Sequence, residues 1–218
     1  MAREVIAALE EMIAARSLLK HSFYQAWTAG ELPIERLRNY AVQYYPHVAA
    51  FPRYLSAIHS RCADIVTRQA LLENLIEEER GAENHPELWL RFAEALGVPR
   101  ASVLVPAASP AVENLVRTYT ELCANGRPVA GLSALYVYEA QIPAIASAKI
   151  DGLKRFYGIT DDRGVAFFSV HEQADRWHSE TDADLIERYC DGDADVSASA
   201  IESGRRALDA LWSALDSM

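Results

Sequence analysis

HEQADRWH, residues 171–178, sets two histidines and an aspartate at spacings of four and three within a stretch of helical periodicity. At about 100° of rotation per residue, His171, Asp175 and His178 fall within roughly 60° of arc, so three metal-binding side chains share one helix face. Taken alone, the octapeptide is equally a solvated polar face that happens to contain histidine. What decides between the two is whether the rest of the chain supplies partners, because a helical bundle builds a metal site from side chains on several facing helices.

Two segments supply them. In LIEEERGAENHPELW, residues 75–89, His85 follows Glu78 by seven positions, which puts the pair within about 20° on a helical wheel. Glu79 and Glu77 lie roughly 120° and 80° from His85 by the same arithmetic, and are expected to point elsewhere as a solvated charge run. Pro86 biases His85 away from the α region, so the helix is expected to end or bend there. In SALYVYEAQIPAIASAK, residues 133–149, one acid, Glu139, stands in an otherwise apolar helix. A buried carboxylate without a counter-charge is costly, so Glu139 is paired, protonated or a metal ligand. Pro143 cannot donate to the Glu139 carbonyl, and the helix is expected to be distorted beside that acid. Glu78, His85, Glu139, His171, Asp175 and His178 together offer three carboxylates and three imidazoles. Four ligands satisfy one zinc, whereas this set suits two divalent ions of iron or manganese.

The remainder of the chain is consistent with one all-α domain over residues 1–218. It has 218 residues, 50% hydrophobic and 24% charged, enough for a sizeable core. Apolar residues recur at three and four almost throughout, and β-like alternation is confined to VLV at 103–105. The pattern predicts helices at about 3–16, 18–29, 34–59, 62–84, 86–96, 110–125, 129–156, 162–180, 182–190 and 197–216. Turn formers and caps in AGELP (29–33), LGVP (96–99), ASP (108–110), NGRP (125–128) and YGITDD (157–162) mark the cuts. DGDADVSAS, 191–199, reads as a loop with an N-cap; it lacks the glutamate that closes a calcium loop. A formal net charge of −10 argues against nucleic acid and anionic membranes as partners. Cys62, Cys123 and Cys190 are far apart and fit reduced thiols in a cytoplasmic protein. The N-terminal MAREVIAALEEMIAARS lacks the unbroken apolar run of a signal peptide, and no stretch is expected to span a membrane.

The motif E-x6-H, a lone E, then H-x3-D-x2-H resembles the signature of the haem-oxygenase-like diiron oxidases. More narrowly, EEERGAENHPELWLRFAEALG with HEQADRWH resembles the family of the chlamydial protein associating with death domains, whose bacterial members are p-aminobenzoate synthases. All six ligand positions of that motif are matched. The resemblance implies a haem-oxygenase-like seven-helix bundle with a dinuclear site, Fe/Fe or Mn/Fe, at its middle; pyrroloquinoline-quinone synthases and thiaminases of the second type share the fold. It further implies p-aminobenzoate synthesis for folate, with oxygen and a reductant as co-substrates and no external carbon substrate. The carbon comes from the protein's own tyrosine and the amino group from its own lysine, at positions matched by Tyr24 in LLKHSFYQAW and Lys149 in IASAKIDG.

From residue types alone, Tyr24 is one of ten tyrosines, and Tyr40, Tyr44, Tyr45, Tyr136 and Tyr138 compete with it. Tyr138, beside Glu139, is placed to support the site or relay a radical. Lys149 also reads as a snorkelling cation at a helix end. His21, His47 and His59 match no ligand spacing and are read as polar core or surface groups. Two other functions stay open: a dimetal oxidase acting on an external small molecule, and a death-domain-type interaction module that survives loss of every ligand. The metal pair, the electron donor and homodimer formation are left open by the sequence.

Overall fold

Asp64 opens the helix Ile65–Glu79 by accepting from the Thr67 amide, and Asn84, Ser109 and Asp161 do the same for His85–Ala95, Pro110–Ala124 and Asp162–Cys190. Such caps satisfy amides that have no partner inside the helix. A computed structural model describes residues 2–105 and 107–218. Among them are twelve α-helices, a single 3-10 turn and no strand: α1 Ala2–Ala15, α2 Ser22–Ala29, α3 Ile34–Gln43, α4 Tyr45–Arg61, α5 Ile65–Glu79, α6 His85–Ala95, α7 Arg100–Leu104, α8 Pro110–Ala124, α9 Pro128–Glu139, α10 Ile142–Phe156, α11 Asp162–Cys190 and α12 Ala194–Asp216.

The apolar faces of these helices close on one continuous core that includes Trp27, Leu55, Trp89, Leu135 and Phe168. α9 is its axis: every residue from Val129 to Glu139 is buried, against α8, α11 and α12. The run Pro128–Phe156 is long and apolar enough by composition to cross a membrane, contrary to the sequence expectation, but is mostly buried here. Its apolarity is that of a core helix, and its chain is broken at Ala140–Gln141.

Four expected boundaries are corrected. The helix expected over 34–59 is divided at Tyr44, because Pro46 falls in the first turn of α4, where its missing N–H costs nothing. The helix expected over 129–156 ends at Glu139 and restarts at Ile142, with Pro143 in the first turn of α10. The expected cut at residue 181 is absent, and α11 runs unbroken for 29 residues. Glu78 and His85 lie on different helices: α5 stops at Glu79, and His85 opens α6 behind the Asn84 cap with Pro86 in its first turn. The residues 103–105 read as β-like lie at the end of α7 and just beyond it.

Candidate metal centre

Glu78 of α5, His85 of α6, Glu139 of α9, and His171, Asp175 and His178 of α11 converge in the middle of the bundle, each no more than 6% exposed. They form two groups, Glu78–His85–His171 and Glu139–Asp175–His178, and within each the ligand atoms lie within 4.8 Å of one another. All six residues singled out by spacing are thus brought together. The expected face-sharing of Glu78 and His85 is replaced by a meeting across a loop, with His85 Nδ1 2.9 Å from Glu78 Oε1.

The close approaches in this cluster are poor hydrogen bonds. His85 Nδ1, both nitrogens of His178, Glu139 Oε2 and Asp175 Oδ2 are buried without a hydrogen-bond partner, although His178 Nδ1 lies 3.5 Å from Asp175 Oδ1. Buried polar atoms left unpaired carry a desolvation penalty. A pair of divalent cations removes it, because each lone pair then has an acceptor and three carboxylates face compensating charge. The donor set of oxygen and imidazole nitrogen fits iron or manganese. At His171 the nitrogen free to bind a cation is defined: Nδ1 lies 2.5 Å from the Phe167 carbonyl, which can only accept, so Nδ1 carries the proton and Nε2 the lone pair.

The electrostatics follow from burial. Burial pushes Asp175 well above the ordinary carboxylate range, with the Glu78 charge adding to it, and raises Glu139 likewise, helped by Asp175. Burial and the neighbouring His85 hold His171 neutral, well below the usual histidine range. Burial also pulls on His85, but the Glu78 carboxylate outweighs it and the net displacement is upward.

Three residues missed in the sequence belong to this region. Asp182, one turn beyond His178 on α11, is buried beside Glu139, and burial raises its carboxyl well above its usual value. Asn74 donates from Nδ2 to Glu139 Oε1 at 3.0 Å. His47, read as a polar core or surface group, is fully buried and lines a small cavity with Glu78, Tyr138, Phe167, His171 and Asp175. Glu77, expected to point away, brings Oε2 to 3.2 Å from His178 Nε2. Asp182 was legible only if α11 continued through residue 181; Glu77 lay outside the wheel because the target is on another helix.

Tyr24 and Lys149 are both buried, on α2 and α10. Lys149 Nζ donates to the Tyr40 hydroxyl at 2.7 Å and lies 5.2 Å from the centre of the Tyr24 ring. Rings of Trp27, Tyr40, Tyr44 and Phe168 complete its surroundings, and among the described residues no carboxylate pairs with it. Burial alone lowers Lys149 to about 7. Tyr44 stacks on Tyr40 at 5.2 Å, and its hydroxyl pairs with that of Tyr138. Tyr138 precedes Glu139 in α9. The Tyr40 hydroxyl also pairs with that of Tyr24, and Tyr138 lines the cavity beside Glu78, His171 and Asp175, so a line of phenols joins the metal-binding cluster to Tyr24.

Residues 38–212 match the model of a family described as iron-containing redox enzymes. The chain is 46% identical over 217 residues to a 4-aminobenzoate synthase of Nitrosomonas europaea, covering 95% of this chain and 88% of that one. It is 42% identical over 209 residues to one of Chlamydia trachomatis, covering 96% and 89%. The chain belongs to the 4-aminobenzoate synthase family of iron-containing redox enzymes. A pyrroloquinoline-quinone synthase of Klebsiella pneumoniae is 26% identical over 222 residues, covering 97% of this chain and 86% of that one. A TenA homologue from Pseudomonas syringae superposes with a TM-score of 0.85 over 98% of this chain and 90% of its own, at 15% identity. At that identity the likeness establishes the fold alone, which is haem-oxygenase-like.

Proposed function

We propose that the protein makes p-aminobenzoate in a single turnover from its own Tyr24, with Lys149 as amino donor, and so supplies folate synthesis. The observation that carries this reading is the placement of a buried lysine amine against the ring of a buried tyrosine, one line of phenols away from the metal-binding cluster.

The ring and Cβ of tyrosine already hold the seven carbons of the product. The conversion breaks Cα–Cβ, leaving a glycyl residue at position 24, oxidises Cβ to a carboxylate with oxygen from O2, and exchanges the phenol oxygen, released as water, for nitrogen, which leaves Lys149 by oxidative cleavage of Cε–Nζ with Cε left as an aldehyde. Molecular oxygen is the oxidant and an electron donor the source of reducing equivalents. Two bound divalent ions, Fe/Fe or Mn/Fe, supply the activation of oxygen. Glu78, His85 and His171 hold one ion, and Glu139, Asp175 and His178 the other. Tyr138, Tyr44 and Tyr40 pass oxidising equivalents outward to Tyr24. Lys149 is poised to be a free amine near neutral pH, as attack on an oxidised ring requires. Tyr40 fixes its nitrogen by accepting its hydrogen bond. The cavity beside the cluster, about 10 Å³, admits one water-sized molecule, which supports a carbon source that is already part of the chain.

The test is to load anaerobically purified protein with iron or with iron and manganese, add oxygen and reductant, and measure p-aminobenzoate. Tyr24→Phe is expected to abolish product with metal content unchanged. Product from that variant at the parent level contradicts the assignment and favours an oxidase of external substrates.

A further inference from the structure

We infer that Glu77 is a positioning residue for His178: its carboxylate stands 3.2 Å from Nε2, short of hydrogen-bond alignment, and accepts from Nε2–H once a cation takes Nδ1, which keeps Nδ1 turned toward the second metal group. The inference rests on the reading of Glu139, Asp175 and His178 as metal ligands. It concerns a residue outside the six.

The two edges of the His178 ring face different carboxylates. Nδ1 lies on the side of Asp175, 3.5 Å from its Oδ1, within the group that includes Glu139. Nε2 faces outward to Glu77 Oε2 at 3.2 Å. One imidazole presents a single lone pair when neutral, so the nitrogen that binds a cation leaves the other to donate. Glu77 offers the acceptor. Trp177 packs edge-on against the His178 ring at 5.3 Å between centroids, which restricts the ring from a side that offers no acceptor.

The cost of the arrangement also points to a role. The Glu77 side chain is 48% exposed and that of His178 2%. A half-exposed glutamate gains little from an ordinary surface pair, typically below about 1 kcal/mol. The gain grows when a cation on Nδ1 polarises the ring and the Nε2–H becomes a stronger donor. His171 shows the same device with a different acceptor, its Nδ1 donating to the Phe167 carbonyl. Each of the two histidines of α11 thus has an oxygen facing one ring nitrogen, the Phe167 carbonyl bonded to His171 Nδ1 and the Glu77 carboxylate 3.2 Å from His178 Nε2.

Anaerobic equilibrium dialysis against Fe²⁺, repeated with Mn²⁺, gives the affinity of each of the two sites directly. Glu77→Ala is expected to weaken one site by about 10- to 100-fold and leave the other within about 3-fold, the usual effect of removing such a partner. Glu77→Gln keeps an acceptor oxygen without the charge and is expected to hold affinity within about 3-fold of the parent. Glu79→Ala, an exposed acid on the same helix, is expected to change neither site. Unchanged affinity in Glu77→Ala overturns the inference while leaving the two-metal reading intact. Equal loss in Glu77→Ala and Glu77→Gln overturns it differently, because Glu77 then acts through its charge or as a ligand itself. Failure of the parent to bind either ion overturns the inference together with the reading on which it rests.

Discussion

Lys149 is the residue whose chemistry depends most on where the fold has put it. Burial lowers it from its ordinary 10.5 to about 7, which corresponds to about 5 kcal/mol against folding when the group is charged. The unfolded chain holds the proton more tightly than the folded one, so this cost is full below pH 7, fades as pH rises toward 10.5 and vanishes above it. Lys149→Met is therefore expected to be more stable than the parent at pH 6.5, by roughly 1–3 kcal/mol after the lost Tyr40 hydrogen bond is allowed for. The difference should close near pH 10. Urea denaturation of the metal-free proteins at both pH values measures it, and a variant less stable than the parent at pH 6.5 contradicts the assignment. The same variant is expected to make no p-aminobenzoate. In the parent, the rate of product formation should rise as pH increases through about 7. The six candidate ligands were legible because spacing and lone acids in apolar surroundings are local signals, and the structure brings them into two clusters. His47 was not, since a histidine among Tyr44, Tyr54 and Tyr119 gains its surroundings only from tertiary packing.

At the scale of elements, the seam between α2 and α10 holds Tyr24, Trp27 and Lys149 in place, and Gly152 makes it possible. A Cβ at Gly152 meets Trp27 Cδ1 at 2.6 Å, Nε1 at 2.8 Å and the Trp27 carbonyl oxygen at 3.3 Å. The fully buried indole has no room to give. Gly152→Ala is expected to cost about 1–3 kcal/mol by overpacking and to reduce product yield while leaving metal affinity unchanged, since none of the six candidate ligands lies on α2 or α10. Thermal unfolding and metal dialysis separate the two effects. A second device is Gln141, in the break between α9 and α10: it donates to the Val137 carbonyl and accepts from the Leu18 amide, both buried. Pro143 announced a distortion beside Glu139 but not its extent: the helix was expected to continue to residue 156, and the structure instead ends it at Glu139. The end of α5 was less legible, because nothing local in EEERGAEN distinguishes a helix that continues from one that stops before an Asn-Pro start. Pro86 read as a terminator and Pro86 read as a first-turn residue are the same letter; the Asn84 side chain decides between them.

The whole molecule encloses a cluster of carboxylates and imidazoles that the bundle leaves short of hydrogen-bond partners, and its stability is tied to what fills the cluster. At a free metal concentration 100 times the dissociation constant, each occupied site stabilises the fold by about 2.7 kcal/mol, or roughly 5–10 °C in Tm for a chain of this length. Calorimetry with and without Fe²⁺ or Mn²⁺ is expected to show that rise, and a chelator should reverse it. The fold class and the core were readable from periodicity, because helical spacing persists over nearly the entire chain. The tyrosines were not: residue type does not single out one of ten, and only packing sets Tyr24 against Lys149. The central claim is that the product's carbon is the protein's own, and isotope labelling tests it most directly. Protein prepared with ring-labelled tyrosine, loaded with metal and given oxygen and reductant in otherwise unlabelled buffer, is expected to release p-aminobenzoate that carries the label throughout its ring, no more than one per chain, with loss of the Tyr24 side chain from the corresponding peptide. Unlabelled product, or labelled product beyond one equivalent, contradicts the account.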